Sequence, residues 1–74
     1  MKVTTQNRYN QTLVKINGKT RCYYEKIRDD SYNFYLGKPS DKIVFGKNAL
    51  TLSELEEEVN KVVDQYKELL EFFN

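Results

Sequence analysis

The stretch TLVKINGKTRCYYEKIR, residues 12–28, decides the fold of this chain. Asn17-Gly18 lies between two runs of residues that favour β-structure, and an Asn-Gly pair in that setting is the strongest short-range signal for a β-hairpin. We therefore predict two antiparallel strands joined at this pair. A two-residue loop and a turn with a bulge at Gly18 differ by one residue in pairing, so the sequence leaves open which face of the hairpin is buried.

The residues after this hairpin are predicted to extend it into a small antiparallel sheet. Residues 29–31 are turn-forming, residues 32–36 are predicted to form a third strand, and residues 37–40 end it. A short fourth strand is predicted at residues 42–45, and residues 46–48 are predicted to close it as a turn. The strand order is left open.

Residues 51–73 are predicted to form one long amphipathic helix. Thr51-Leu52-Ser53-Glu54 fits a capping box, in which the side chains of Thr51 and Glu54 each accept from the other residue's amide. Leu55, Val62 and Leu69 repeat at heptad spacing, as helices that cover a core do. The helix would be about 33 Å long, whereas a strand of five or six residues spans about 17–20 Å. We therefore expect its C-terminal end to extend beyond the sheet and to contact a partner or a second copy of the chain through Tyr66, Leu70, Phe72 and Phe73.

These patterns predict a single α+β domain over residues 1–74. Residues 1–8 are polar and are predicted to form a flexible arm, residues 9–47 an antiparallel sheet of three to four strands, and residues 51–73 a helix across one sheet face. The expected core residues are Leu13, Val14, Ile16, Cys22, Tyr24, Phe34, Leu36, Ile43, Phe45, Leu52, Leu55, Val59, Val62, Val63, Tyr66 and Leu69.

Charge is divided unevenly along the chain. Residues 1–47 hold ten basic and four acidic side chains, a net charge of +6, and residues 48–74 hold two basic and seven acidic side chains, a net charge of −5. The overall charge of +1 therefore hides a basic sheet joined to an acidic helix.

The composition argues against catalysis. The chain has no histidine and one cysteine, Cys22, which leaves no ordinary general base near neutral pH, no cysteine–histidine pair and no structural zinc site. Asp29-Asp30 is interpreted as a turn and Cys22 as a small buried apolar residue. We predict a protein that is not an enzyme and has no catalytic residue, cofactor or metal.

The same composition indicates a compartment. A lone cysteine cannot form an internal disulfide, no secretory signal is evident, and no apolar run reaches the roughly 20 residues needed to cross a bilayer. We expect a cytoplasmic protein, in a bacterium or a phage-infected host cell, that has no membrane partner.

Aromatic and basic side chains on the predicted strands are the candidate binding residues. Tyrosine beside arginine is typical both of protein-interface hot spots and of surfaces that stack nucleic-acid bases. The candidates are Arg21, Tyr23, Lys26, Arg28, Tyr32 and Tyr35.

The first functional hypothesis is a stoichiometric inhibitor that occludes the surface of a protein partner or a nucleoprotein complex. A few aromatic and arginine anchors carry most of the affinity in such complexes. In size and composition the chain resembles the small anti-defence inhibitors of phages and mobile elements, anti-CRISPR proteins included.

The alternative is a nucleic-acid-binding domain that uses the basic sheet. Strands followed by a helix, with Lys15, Lys19, Arg21, Lys26 and Arg28 on one hairpin, resemble the small integrase arm-binding domains, which lay a three-stranded sheet in the major groove. The acidic helix would repel phosphate unless it lies behind the sheet. A homodimer formed through the C-terminal end of the helix is compatible with both hypotheses.

Overall fold

The computed structural model describes the backbone of residues 1–41 and 45–73 and the side chains of residues 1–41 and 45–70. Within these residues one helix packs on a five-stranded antiparallel sheet, which confirms the predicted α+β class. The strands follow each other in the sheet as they do in the chain, and the elements are β1 (Val3–Arg8), β2 (Gln11–Ile16), β3 (Lys19–Arg28), β4 (Ser31–Leu36), β5 (Gly46–Leu50) and α1 (Leu52–Phe73).

The predicted count of three to four strands is wrong, partly because residues that were expected to form a flexible arm form β1. This strand pairs with β2 along its whole length, from Val3 opposite Ile16 to Arg8 opposite Gln11. All six of its residues are exposed. The strand therefore depends on backbone pairing and on its β-branched residues. It has no buried apolar side chains whose alternation could have predicted a strand.

The central hairpin is confirmed, and its loop is the two-residue form. Asn17 and Gly18 both have positive φ, 52° and 81°, and Ile16 lies opposite Lys19, as in a type I′ turn. The pairing then shifts, because Val14 lies opposite Cys22 whereas Lys15 lies opposite Thr20. This shift leaves Arg21 as the extra residue of a β-bulge in β3.

The last strand differs most from the prediction. Lys42, Ile43 and Val44, which make up most of the predicted fourth strand, lie outside the described residues. The turn predicted at residues 46–48 is wrong, since these residues begin β5, which pairs with β4. A Cβ at Gly46 would lie 2.6 Å from the carbonyl oxygen of Phe34. Glycine here permits close approach to the neighbouring strand rather than a turn.

The predicted capping box is present at the start of α1. The Thr51 amide donates to Oε1 of Glu54 over 3.1 Å, and the Glu54 amide donates to Oγ1 of Thr51 over 3.3 Å. The amide of Leu52 donates to Oδ1 of Asp30 over 2.8 Å. Asp30 belongs to the turn between β3 and β4, so a side chain of the sheet holds the first turn of the helix in place.

The core lies between α1 and one face of the sheet. Its buried members are Val14, Ile16, Cys22, Phe34, Leu55 and Val62, and the partly buried Tyr24, Tyr32, Leu50, Val59, Val63 and Tyr66 pack against them. Ile43 lies outside the described residues. Four residues expected in the core are more than a third exposed, because they lie at the ends of elements or beyond the covered area: Leu36, Phe45, Leu52 and Leu69.

Candidate binding surface

The structure does not bring the six sheet candidates onto one surface. Tyr23 and Tyr35 lie on the face away from α1, which we call the open face. Tyr32 packs against the core on the helix side, with its ring centroid 6.3 Å from that of Tyr24. Arg21 also lies on the helix side, because the bulge interrupts the alternation of side chains along β3. The exposed Lys26 and Arg28 lie at the opposite end of β3. That these residues bind a partner stays a prediction.

Tyr23 and Tyr35 form a stacked pair on the open face, with ring centroids 4.9 Å apart. Tyr23 and its neighbour Leu13 are only 6% and 5% exposed. Burial, followed by the charges of Tyr35, Glu25 and Asp41, raises the pKa of the Tyr23 hydroxyl. Tyr23 is therefore a packed residue of a second small cluster, and only Tyr35 of this pair is open enough to stack on a ligand.

The loop after β4 forms a compact turn. The amide of Lys38 donates to Oδ2 of Asp41 over 2.9 Å, and the Asp41 amide donates to the Lys38 carbonyl oxygen over 2.9 Å. Gly37 has a φ of 87°, and a Cβ at this position would collide with Oδ2 of Asp41. The glycine amide donates to the carbonyl oxygen of Arg21 over 2.8 Å. These contacts hold Lys38 beside the bulge.

Lys38 and Thr20 line two separate clefts. The larger, which we call the Arg21 cleft, has a volume of 750 Å³ and lies where the C-terminal half of α1 meets the ends of β3 and β4. The other, which we call the Lys15 cleft, has a volume of 520 Å³ and lies on the open face. Its lining includes Arg8, Lys15 and Lys38, and no acidic residue is among the described residues that line it.

Arg21 is the most unusual side chain of the surface. Its guanidinium carbon lies 4.7 Å from the centroid of the Tyr66 ring, in a cation–π contact. Its Nε is buried and has no hydrogen-bond acceptor among the residues that the structure describes. Buried donors nearly always have a hydrogen-bond partner in folded proteins, so the unpaired Nε of Arg21 is unusual.

Most of the acidic side chains described on α1 are exposed. Exposed carboxylates on α1 are those of Glu54, Glu56, Glu57, Asp64 and Glu68. Glu58 is different, because its carboxylate lies 2.7 Å from the amine of Lys47 and 3.4 Å from that of Lys61. Hydrogen bonding to Lys47, and then to Lys61, lowers the pKa of Glu58. Lys61 lies four residues after Glu57, a spacing that allows an ion pair on a helix, but it pairs with Glu58.

The side chains of two of the four candidate residues at the C-terminal end of α1 are described. Tyr66 and Leu70 are half-buried, and the side chains of Phe72 and Phe73 lie outside the described residues. Tyr66 packs against the core instead of extending beyond the sheet. Leu69, which is 49% exposed, lines a hollow of 490 Å³ together with Gln65, Tyr66 and Glu68.

Cys22 is fully buried, as expected from the sequence, and burial raises the pKa of its thiol to about 11. Among the described side chains, those of residues 1–41 and 45–70, no three metal-ligating groups come together. Within the same ranges, no helix has the length and apolar character needed to span a membrane.

Sequence reasoning named Lys15, Lys19 and Arg21 as basic binding residues, but it did not place them in two separate clefts and did not name Arg8 or Lys38. Lys15 could have been placed on the open face from its alternation with Val14, once the hairpin loop was known. The contact between Arg21 and Tyr66 has no sequence signal, because it depends on the bulge and on where α1 crosses the sheet. Comparison of the chain with protein-family models, curated proteins and solved structures found no match.

Proposed function

We propose that this chain is a non-enzymatic binding protein that inhibits a protein partner by covering part of its surface in a one-to-one complex. One observation carries this proposal. Arg8, Lys15 and Lys38 line a cleft on the open face, whereas exposed carboxylates of α1 lie on the opposite side of the core.

Surfaces of one sign favour rapid, oriented encounter with a partner of the opposite sign. The Lys15 cleft supplies three cations around a polar hollow, and Tyr35 lies on the same sheet face. Aromatic residues and arginine are enriched at the centres of protein interfaces. The open face therefore suits an acidic protein surface, and the outer side of α1 suits a basic one such as a nucleic-acid-binding protein.

The kind of inhibitor that fits these properties is the anti-defence type carried by phages and mobile elements, anti-CRISPR proteins included. The support is the likeness in size and composition together with the two charged surfaces. Such an inhibitor would act in the cytoplasm on a protein or a nucleoprotein complex.

Nucleic-acid binding through the open face is the second candidate function, and a specific observation favours it. The helix lies behind the sheet, which removes the acidic residues of α1 from the open face. Arg8, Lys15 and Lys38 are left without an acidic neighbour in the described lining of their cleft. Phosphate contacts of this kind would make binding strongly dependent on salt.

Affinity capture from a bacterial lysate, with and without nuclease, tests the proposal. We expect wild-type protein to retain one protein partner in equimolar amount after nuclease treatment, and light scattering to give a one-to-one complex. Lys15→Glu and Glu57→Lys reverse the charge on the two opposite surfaces, and we expect one of these variants to lose the partner. Nuclease-sensitive capture would favour the second candidate function, and a chain that retains neither a protein nor a nucleic acid would refute both.

A further inference from the structure

The Arg21 cleft carries an inference that does not depend on the identity of a protein partner. Its lining includes the basic side chains of Lys19, Arg21 and Lys38 and one carboxylate, that of Asp41. Oδ2 of Asp41 accepts the amide of Lys38, so this carboxylate is engaged within its own loop. The side chains that converge on the cleft therefore have a surplus of positive charge.

A partly buried arginine is expected to have an ion-pair or hydrogen-bond partner, and Arg21 lacks one among the described residues. Among the described residues no carboxylate lies within 4.0 Å of its guanidinium, and its Nε has no hydrogen-bond acceptor. Leaving a buried donor unsatisfied is unfavourable for folding. The fold nevertheless inserts an extra residue into β3 that directs this side chain toward the helix side, against Tyr66. Because Nε is buried, a ligand in the cleft would contact the terminal nitrogens of this guanidinium. Tyr66 orients the group in advance, and the absence of a carboxylate partner among the described residues favours an anionic ligand.

The side chains that line the cleft indicate the chemical class of ligand that it would bind. A guanidinium stacked on an aromatic ring presents its remaining donors in a fixed plane, which suits bidentate contact with an oxyanion. Lys19 and Lys38 add two further cations, which match the one to two negative charges of a phosphate group better than the single charge of a carboxylate. The volume of 750 Å³ lies in the range of pockets that bind small molecules.

We propose that the Arg21 cleft is a binding site for a phosphate group, supplied by a nucleotide or by the backbone of a nucleic-acid strand, and that Arg21 is the residue that binds it. Lys19 and Lys38 flank the phosphate. Tyr66 orients the guanidinium, and Gln65 lines the same cleft.

The test is an NMR titration of the isotope-labelled chain at neutral pH and constant ionic strength. The probes are inorganic phosphate, a nucleoside monophosphate, a short oligothymidylate, and acetate as the carboxylate control. We expect the three phosphate probes to shift the Nε–Hε resonance of Arg21 and the amide resonances of Gly37 and Lys38 in a saturable way. Acetate at the same concentrations is expected to leave these resonances in place.

Matched variants locate the binding. Arg21→Gln is expected to weaken phosphate binding about tenfold or more, because it removes a charged hydrogen-bond donor. Arg28→Gln removes the same charge from the far end of the same strand and is expected to change the affinity less than about twofold. Lys19→Gln, at an exposed residue that lines the Arg21 cleft and not the Lys15 cleft, gives a second reading if Arg21→Gln fails to fold.

Three results would overturn the proposal: no saturable shift with any phosphate probe, equal shifts with acetate, or equal losses in Arg21→Gln and Arg28→Gln. Oligothymidylate binding that is insensitive to both Arg21→Gln and Lys19→Gln would assign nucleic-acid contact to another surface and would also refute it. If phosphate binds as expected while no protein is captured, only the inhibitor proposal fails.

Discussion

Val62 and Val59 give the sharpest test of how α1 lies on the sheet. Both are expected core residues on the apolar side of the helix, and from the sequence Val59→Asp and Val62→Asp are both expected to unfold the domain. The structure separates them. Val62 is 5% exposed and belongs to the buried cluster, whereas Val59 is only partly buried and lines a groove of 320 Å³ between α1 and β1.

The two changes therefore differ in magnitude. A domain of 74 residues has a free energy of unfolding of about 4–11 kcal/mol. Val62 lines the Arg21 cleft but is only 5% exposed, so a carboxylate there would lose most of its hydration. If that charge stays unpaired, it would cost about 3–5 kcal/mol in addition to the lost apolar contact, so most of the stability disappears. At Val59 the carboxylate reaches water through the groove. The free energy of unfolding then falls only by part of what burial of the valine side chain contributes, about 1–2 kcal/mol.

Urea unfolding followed by circular dichroism measures both values. We expect Val59→Asp to keep a cooperative transition at lower urea, and Val62→Asp to lack a folded baseline at 25 °C. Val62→Ala, which removes volume without adding charge, is the control and is expected to cost about 2–3 kcal/mol. Equal destabilisation by the two aspartates would show that α1 is rotated relative to the position described, and the reasoning would fail.

Three further predictions concern single residues. Asp30→Ala removes the acceptor of the first helix amide and is expected to lower the free energy of unfolding by about 1 kcal/mol. The control, Asp29→Ala, is expected to change this free energy by less than about 0.5 kcal/mol in the same urea assay. Equal effects of the two changes would show that Asp30 does not cap the helix. Gly46→Ala places a Cβ against the carbonyl of the neighbouring strand and is expected to cost about 1–3 kcal/mol, and a stability like that of the wild type would mean that β5 does not approach so closely. The raised pKa of Cys22, about 11 against an ordinary value of 9.0, means that the folded chain holds this proton more tightly than the unfolded chain. The free energy of unfolding should therefore fall as pH rises from about 9 to 11, by at most about 2.7 kcal/mol, and Cys22→Ala should remove that part of the slope; parallel pH profiles of the two proteins would contradict this.

Local signals in the sequence were sufficient for the central hairpin and for the helix. Asn17-Gly18 fixes a turn with positive φ at both residues, and the Thr51 capping box needs only residues three positions apart. Both elements therefore appear where the sequence predicts them. The residues that α1 buries most deeply, Leu55 and Val62, also follow from heptad spacing alone.

The edges of the sheet could not be predicted in this way. β1 buries none of its side chains, and Gly46 resembles a turn residue although it serves close strand packing. The clefts depend on a further non-local feature, the one-residue shift that directs Arg21 to the helix side. Strict alternation along β3 would place Arg21 beside Tyr23, which is why sequence reasoning grouped the two in one binding face.

The order of the strands has a consequence for how the chain folds. Because each strand pairs with the one that follows it in the chain, every hydrogen-bonded ladder closes a short segment and loses little chain entropy. Topologies of this kind, with low contact order, reach the native state faster than β-structures with distant pairings. We expect the sheet to assemble outward from the Asn17-Gly18 hairpin. The contact between Asp30 and Leu52, which spans 22 positions, would form late, when the helix docks on a completed sheet.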